Sequence, residues 1–328
     1  MERVAAKAPL CEQGCGRFAN RSYPTCCGAC NKVPGTHTHQ CDGRQAAPST
    51  LEELILSGAI RFVNTSWLKD LAAAGGCVSR RQDLPEEAFA TPEELFELLD
   101  RREHLRIAVI SYSWLSPTHP DPNGQHLAVV ANNVRQRVVF WDFLSLFQVP
   151  RKKNEEPMFR SALSSMHLVY SQQRANIFRL TDVPADAENS VPYEDRGWTT
   201  FETAVAFASG AFVHTIKKGI RAPGGQQKTQ LPILPAEFPE VIATKRFTSP
   251  KADMPMVVDL YKKIWPAITA MEFKGVYGWS RSEVEQFLEI APQFKSLKVL
   301  HIAVHRVTEE EQVVLTARAA EYGLSLEF

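Results

Sequence analysis

From Ile107 onward, short apolar runs rich in β-branched residues alternate with helical segments, and this alternation restricts the fold more than any other feature of the chain. The runs Ile107 to Tyr112, Val138 to Trp141, Asn176 to Leu180 and Phe212 to Ile216 are apolar nearly throughout, as expected of strands covered on both faces. Helical patterns separate them near Gly124 to Val134, Glu155 to Tyr170 and Trp198 to Ser209. Strand and helix alternating at this spacing predict an α/β fold, with a parallel sheet and helices on both of its faces. Ligands of such sheets sit in the crevice beyond the carboxyl ends of the strands, so side chains at those ends are the first candidates for function.

The rest of the chain divides around this segment. Residues 1–45 are rich in Cys, Gly, His and Pro and hold too few large apolar side chains for a core. Residues 46–105 carry helical patterns: Thr50 is placed to cap Leu51 to Leu56 and Ser66 to cap Trp67 to Ala74, while Thr91 precedes a proline and two acids. The central α/β domain takes residues 106–220, and a Pro/Gly-rich linker or surface loop is expected over 221–249. Residues 250–328 show helical patterns at Met256 to Met271, Arg281 to Ala291 and Glu309 to Glu321. Their last stretch resembles a leucine-rich repeat and the start of a second. One and a half repeats do not make a solenoid, so a small α/β appendage packed on the central domain is expected.

Composition excludes some functions. Lys plus Arg and Asp plus Glu are both 37, so no net charge draws the chain to nucleic acid or an acidic membrane. The 44% hydrophobic content is that of a globular protein, and the most apolar stretch, Thr203 to Ile216, is interrupted and too short to span a bilayer. A soluble, cytoplasmic protein is expected.

The head presents Cys11, Cys15, Cys26, Cys27, Cys30, His37, His39 and Cys41, eight donors in one short stretch, whereas Cys77 stands alone. Zinc takes four such ligands in a closed tetrahedral structural site, so the head predicts one or two structural zinc ions. Reduced thiols or disulfides are the alternatives. The crowding argues for structural rather than catalytic zinc, and no His-Glu metal motif follows.

Three stretches of the central domain carry the polar chemistry. The first strand ends Ile110-Ser111-Tyr112-Ser113-Trp114, which brings hydroxyls and an aromatic to the carboxyl edge of the sheet. After the second strand, Asp142, Ser145 and Gln148 recur every three residues and either align at a site or cap backbone donors. The third is Arg196-Gly197-Trp198-Thr199-Thr200-Phe201-Glu202. Trp198 and Glu202, four apart on a helix, share one face, which makes the pair a reactive site or a core anchor.

Taken in order, these stretches resemble the heterokaryon-incompatibility domain and, more broadly, the Toll/interleukin-receptor domain whose fold it shares. A strand ending in Leu-Ser-Tyr-x-Trp is matched by Ile110 to Trp114. The Trp-Ile-Asp-x-x-Cys-Ile-x-Gln motif is matched by Phe140 to Gln148, with Ser145 in place of the cysteine. A helix with Met and Tyr is echoed by Met166 and Tyr170, and Arg-x-Trp-Thr-x-x-Glu is matched by Arg196, Trp198, Thr199 and Glu202. The resemblance covers residues 107 to about 216 and implies a flavodoxin-like parallel sheet.

Enzymatic relatives of this kind cleave the bond between nicotinamide and ribose in NAD, with the glutamate that Glu202 matches. A carboxylate suits that reaction because the bond breaks through an oxocarbenium-like state. The resemblance thus implies an intracellular signalling protein with Glu202 as catalytic carboxylate, with Ser111, Ser113, Trp114, Asp142, Ser145 and Trp198 around the nucleotide. The alternative is a scaffold without catalysis, self-associating through the central domain and binding a protein partner through the head.

Overall fold

A computed structural model describes residues 48, 50–100, 107–173, 175–221, 230–268, 270–273, 279–302 and 307–328. The expected zinc-binding head lies outside them. Among the described residues the chain is α/β, with twelve α-helices, a mixed six-stranded sheet and a three-stranded sheet.

The four expected strands form the middle of the large sheet as β2 (Ile107–Tyr112), β3 (Val138–Phe140), β4 (Ala175–Leu180) and β5 (Phe212–Lys217). With the short strands β1 (Val63–Asn64) and β6 (Ile220–Arg221), the order is β1-β3-β2-β4-β5-β6. β2 pairs in parallel with β3 and β4, and β4 in parallel with β5. The edges correct the expectation of a wholly parallel sheet, because β1 and β6 are antiparallel to their neighbours. For β6 the cause is local: Lys218 and Gly219 both take positive φ, 54° and 67°, and a two-residue turn of that kind returns the chain as a hairpin.

Every residue of β2, β3 and β4 is buried, which explains their continuous apolar texture. Alternate residues of β2 serve opposite layers. Ile107 and Val109 pack in one apolar cluster with α8 (Gly197–Ala208), while Ala108, Ile110 and Tyr112 join a second with Leu127 and Val130 of α4 (Gln125–Asn133). Helix α8 is buried nearly all round, and its Ala204, Ala206 and Ala208 give close approach where Phe201 and Val205 fill volume.

The helices before the sheet are α1 (Leu51–Leu56), α2 (Thr65–Ala73) and α3 (Pro92–Asp100). Thr50 caps α1 as expected, its hydroxyl accepting from Glu53 N at 3.1 Å. The expectation for Ser66 is corrected, since α2 begins at Thr65, two residues before the expected Trp67, and Asn64 is its N-terminal flank. The buried guanidinium of Arg81 ties this region to the sheet by donating to the carbonyls of Gly58, Ala59 and Ser145 at 2.6, 2.8 and 3.1 Å.

After β3 come α5 (Asp142–Ser145), α6 (Glu155–Leu163) and α7 (Met166–Tyr170); the single helix expected over Glu155 to Tyr170 is broken at Ser164 and Ser165. The expected linker is also corrected in part. It contains α9 (Phe238–Ala243), whose Phe238 and Ile242 are fully buried against the core. Helix α10 (Pro250–Ile264) stops short of Met271, which belongs to strand β7 (Ala270–Phe273).

The tail then runs α11 (Arg281–Ile290), β8 (Val299–Ile302), α12 (Glu309–Glu321) and β9 (Ser325–Glu327), with β7, β8 and β9 parallel in that order. Capping boxes at Ser280/Glu283 and Thr308/Glu311 start its two helices. Leu300, Leu315 and Leu326 of the tail share one apolar cluster with Phe201 and Val205 of α8, so the appendage and the central domain have a common core.

Gly197 opens α8 beneath the ring of Phe247, and its N–H donates to the Arg246 carbonyl at 2.9 Å. A Cβ there would lie 1.9 Å from Phe247 Cζ. Gly197→Ala is therefore expected to displace Phe247 and cost about 1–3 kcal/mol, typical of an overpacked site. Urea unfolding would show a lowered midpoint at unchanged slope; an unchanged midpoint would contradict this packing.

Candidate functional site

The carboxyl end of β2 gathers side chains from four elements. In the large sheet β2 lies between β3 and β4, so the connections leaving β2 and β4 diverge and open a crevice. Ser111, near the end of β2, places Oγ 2.5 Å from Glu202 Oε2 of α8 and 2.5 Å from the Tyr193 hydroxyl. Tyr193 belongs to the 3-10 turn Tyr193–Asp195 before α8, and its oxygen also lies 3.2 Å from Thr203 Oγ1 and 3.4 Å from Arg179 Nε of β4. From α7, the Tyr170 hydroxyl donates to the Ile110 carbonyl at 3.1 Å and is hydrogen-bonded to Glu202. That carbonyl is available because the pairing of β2 with β3 ends at Val109.

Glu202 is 8% exposed. Burial drives its pKa well above the usual carboxylate range, the charge of nearby Asp142 adds to the rise, and the bonds from Ser111 and Tyr170 only oppose it. Both bonds favour the anion, so burial is what holds the carboxyl in its protonated form. Tyr170 and Tyr193 are likewise pushed up by burial, which keeps both phenols neutral.

Asp142 reaches the same strand end from the other side, since successive residues of β2 point to opposite faces. The Tyr112 hydroxyl donates to Asp142 Oδ1 at 2.5 Å, Phe143 N donates to the same oxygen at 2.6 Å, and the Trp114 indole adds a third hydrogen bond. Burial raises the pKa of this carboxyl, while its three donors favour the anion. Trp114 meets Phe143 edge-on at 5.6 Å, and Phe143 meets the His119 ring at 5.0 Å. Two buried carboxyls thus flank one strand end, both with pKa values raised by burial.

The remaining expected site residues are placed as follows. Ser113 is fully buried, its hydroxyl has no hydrogen-bond partner among the described residues, and its carbonyl lies 2.9 Å from His126 Nε2. Burial lowers the pKa of that histidine. Ser145 is turned inward, its hydroxyl accepting from Trp141 N at 3.0 Å, which is the backbone-capping alternative. Trp198 is half-buried, edge-on to Phe201 at 5.8 Å.

Arg196 does not pair with Glu202. It donates to the carbonyls of Val191, Trp114 and Asn189 at 2.9, 2.9 and 3.0 Å, clamping the connection after β4 to the end of β2. Reasoning from sequence passed over Tyr112 as the partner of Asp142, and over Arg179 and Thr203 around Tyr193. The alternation of β2 was the available signal for Tyr112; the others meet only through long-range packing.

Among the described residues no group of three or more His, Cys, Asp or Glu could hold a metal ion, and no helix is long and apolar enough to cross a membrane. The chain matches no protein-family model, no curated protein and no solved structure.

A raised carboxyl pKa in the folded state means stability that is complete below the unfolded value, near 4.5, and is lost as pH rises through the folded value. Glu202→Gln removes the ionisation while keeping the shape. Its stability relative to wild type is therefore expected to improve with pH in that window, by up to about 1.4 kcal/mol per pH unit. Paired urea titrations across pH measure this difference, and a relative loss for the glutamine variant as pH rises would contradict it.

Proposed function

We propose that this chain is a heterokaryon-incompatibility-like, Toll/interleukin-receptor-like signalling protein that cleaves the nicotinamide–ribose bond of NAD, with Glu202 as the catalytic carboxylate. One observation carries the proposal: Glu202 is held by Ser111, with Tyr170 beside it, at the carboxyl end of β2 where the strand order opens a crevice. Perturbed carboxyl pKa values cluster where chemistry is done. The parallel order β3-β2-β4-β5 agrees with a flavodoxin-like arrangement.

In this reaction the C1′–N bond breaks, and its electron pair passes to the pyridinium ring, so nicotinamide leaves neutral without needing a proton. The cationic ribose carbon is stabilised by the carboxylate of Glu202 until water adds and releases its proton to solvent. The positive pyridinium ring lowers the Glu202 pKa on binding, the carboxyl proton passes to solvent, and the negative charge stands where the transition state needs it. Asp142 adds negative potential from the opposite face of β2. In this proposal the Cys11 to Cys41 head binds structural zinc and carries partner recognition.

One observation favours a second role as a non-catalytic assembly scaffold. Glu202 is 8% exposed and does not line the cavity formed by the connections after β2 and β4. The two roles separate in an NAD-consumption assay over a protein concentration series, because relatives of this kind complete their sites by assembly. Catalysis predicts turnover rising faster than linearly with concentration, and a loss of at least about 100-fold in Glu202→Ala, the scale of removing one electrostatic stabiliser, with unchanged circular dichroism. Unchanged turnover in that variant would overturn the role of Glu202, and no turnover at any concentration would leave the scaffold.

A further inference from the structure

A cavity of about 370 Å³ lies between the connection that follows β2 and the one that follows β4. Its walls are built before any ligand arrives. On one side the Ser116 hydroxyl bonds both the N–H and the carbonyl of His119 at 2.9 Å. Both His119 ring nitrogens are engaged as well, at 3.0 Å from the Val78 carbonyl and from Asp121 N. Asp121 is fully buried and fixes the start of α4 through the N–H groups of His126 and Leu127 at 3.0 and 2.8 Å.

On the other side, Ala187 N closes a turn onto the Pro184 carbonyl at 3.1 Å. The two walls are joined by the bond from Asn189 N to the Leu115 carbonyl at 2.9 Å and by the Arg196 clamp. A preformed concave site of this kind lets a ligand bind without first ordering loops.

The free groups in the lining define what fits. Asp186 and Glu188 are exposed carboxylates with no ion pair to another described residue. Thr118, Asn123 and Gln125 are exposed, and their side chains make no hydrogen bond to another described residue. Leu115 and Pro184 add apolar surface. The described lining contains no lysine or arginine, so two carboxylates oppose a phosphate or other anion. Two carboxylates also fall short of the oxygen count that calcium takes. A hydroxyl and two amides suit ligand hydroxyls, the apolar patches suit the C–H face of a sugar ring, and the carboxylates suit an ammonium group.

We propose that this cavity binds a monosaccharide-sized polyol carrying a protonated amine, of the amino-sugar class. This site stands apart from Glu202 and does not depend on the reaction proposed for it.

Ligand-observed NMR on the full chain, with glucosamine, glucose and N-acetylglucosamine as probes, tests the proposal under conditions that protonate the free amine. Glucosamine is expected to bind at least about tenfold more tightly than the two uncharged sugars, and to weaken with added salt as they do not. In Asp186→Asn/Glu188→Gln, two exposed positions whose exchange leaves circular dichroism unchanged, that preference is expected to vanish. Absence of glucosamine binding, equal binding of all three sugars, or a preference that persists in the double variant would each overturn the assignment.

Discussion

The bond between Ser111 and Glu202 joins the central strand of the sheet to its most buried helix through a carboxyl group. A buried carboxylate without compensation would cost several kcal/mol, so the group must be neutral, hydrogen-bonded or both. Ser111 and Tyr170 supply those bonds and Tyr193 braces Ser111, each from a different part of the chain. Their geometry fixes how α8 sits on β2, how α7 is seated against the free Ile110 carbonyl, and where the turn before α8 begins. The polar cluster thereby specifies one arrangement of elements that apolar packing alone would leave less defined.

Two arginines extend this logic outward. Arg196 stands at the threshold of α8 and holds three carbonyls of the surrounding loops, which sets the cavity walls beside the strand ends. Arg81 does the same for the helical region before the sheet. Burial lowers the pKa of each guanidinium, to about 10 for Arg196 and about 9 for Arg81, where the charge of nearby Arg61 adds to the fall. Both charges are retained at neutral pH, and both hold backbone in place.

Much of the fold was legible in the sequence because burial on both faces forces continuous apolar runs, as in β2, and capping chemistry is local, as at Thr50. What escaped was non-local. The edge strands β1 and β6 are two residues long and leave no periodic trace. Helix α9 was hidden in proline-rich sequence whose meaning depends on Phe238 finding the core. At the site, Glu202 and Asp142 stood out as carboxyls beside motif aromatics, but Tyr112 acquires its role only when strand register brings it to Asp142, and Tyr193 only when the turn before α8 meets Ser111. Ser145 shows the limit of spacing arguments, since recurrence every three residues fits an inward cap as well as a ligand contact.

The central claim is that burial keeps Glu202 as a neutral acid. Carboxyl-carbon NMR of the glutamate-labelled protein through a pH titration, with Glu202→Gln to identify the resonance, measures this directly. A Glu202 signal that stays at its protonated position as pH rises past 4.5, the ordinary value for a glutamate, is the predicted result. A signal that titrates at or below that value would contradict the account.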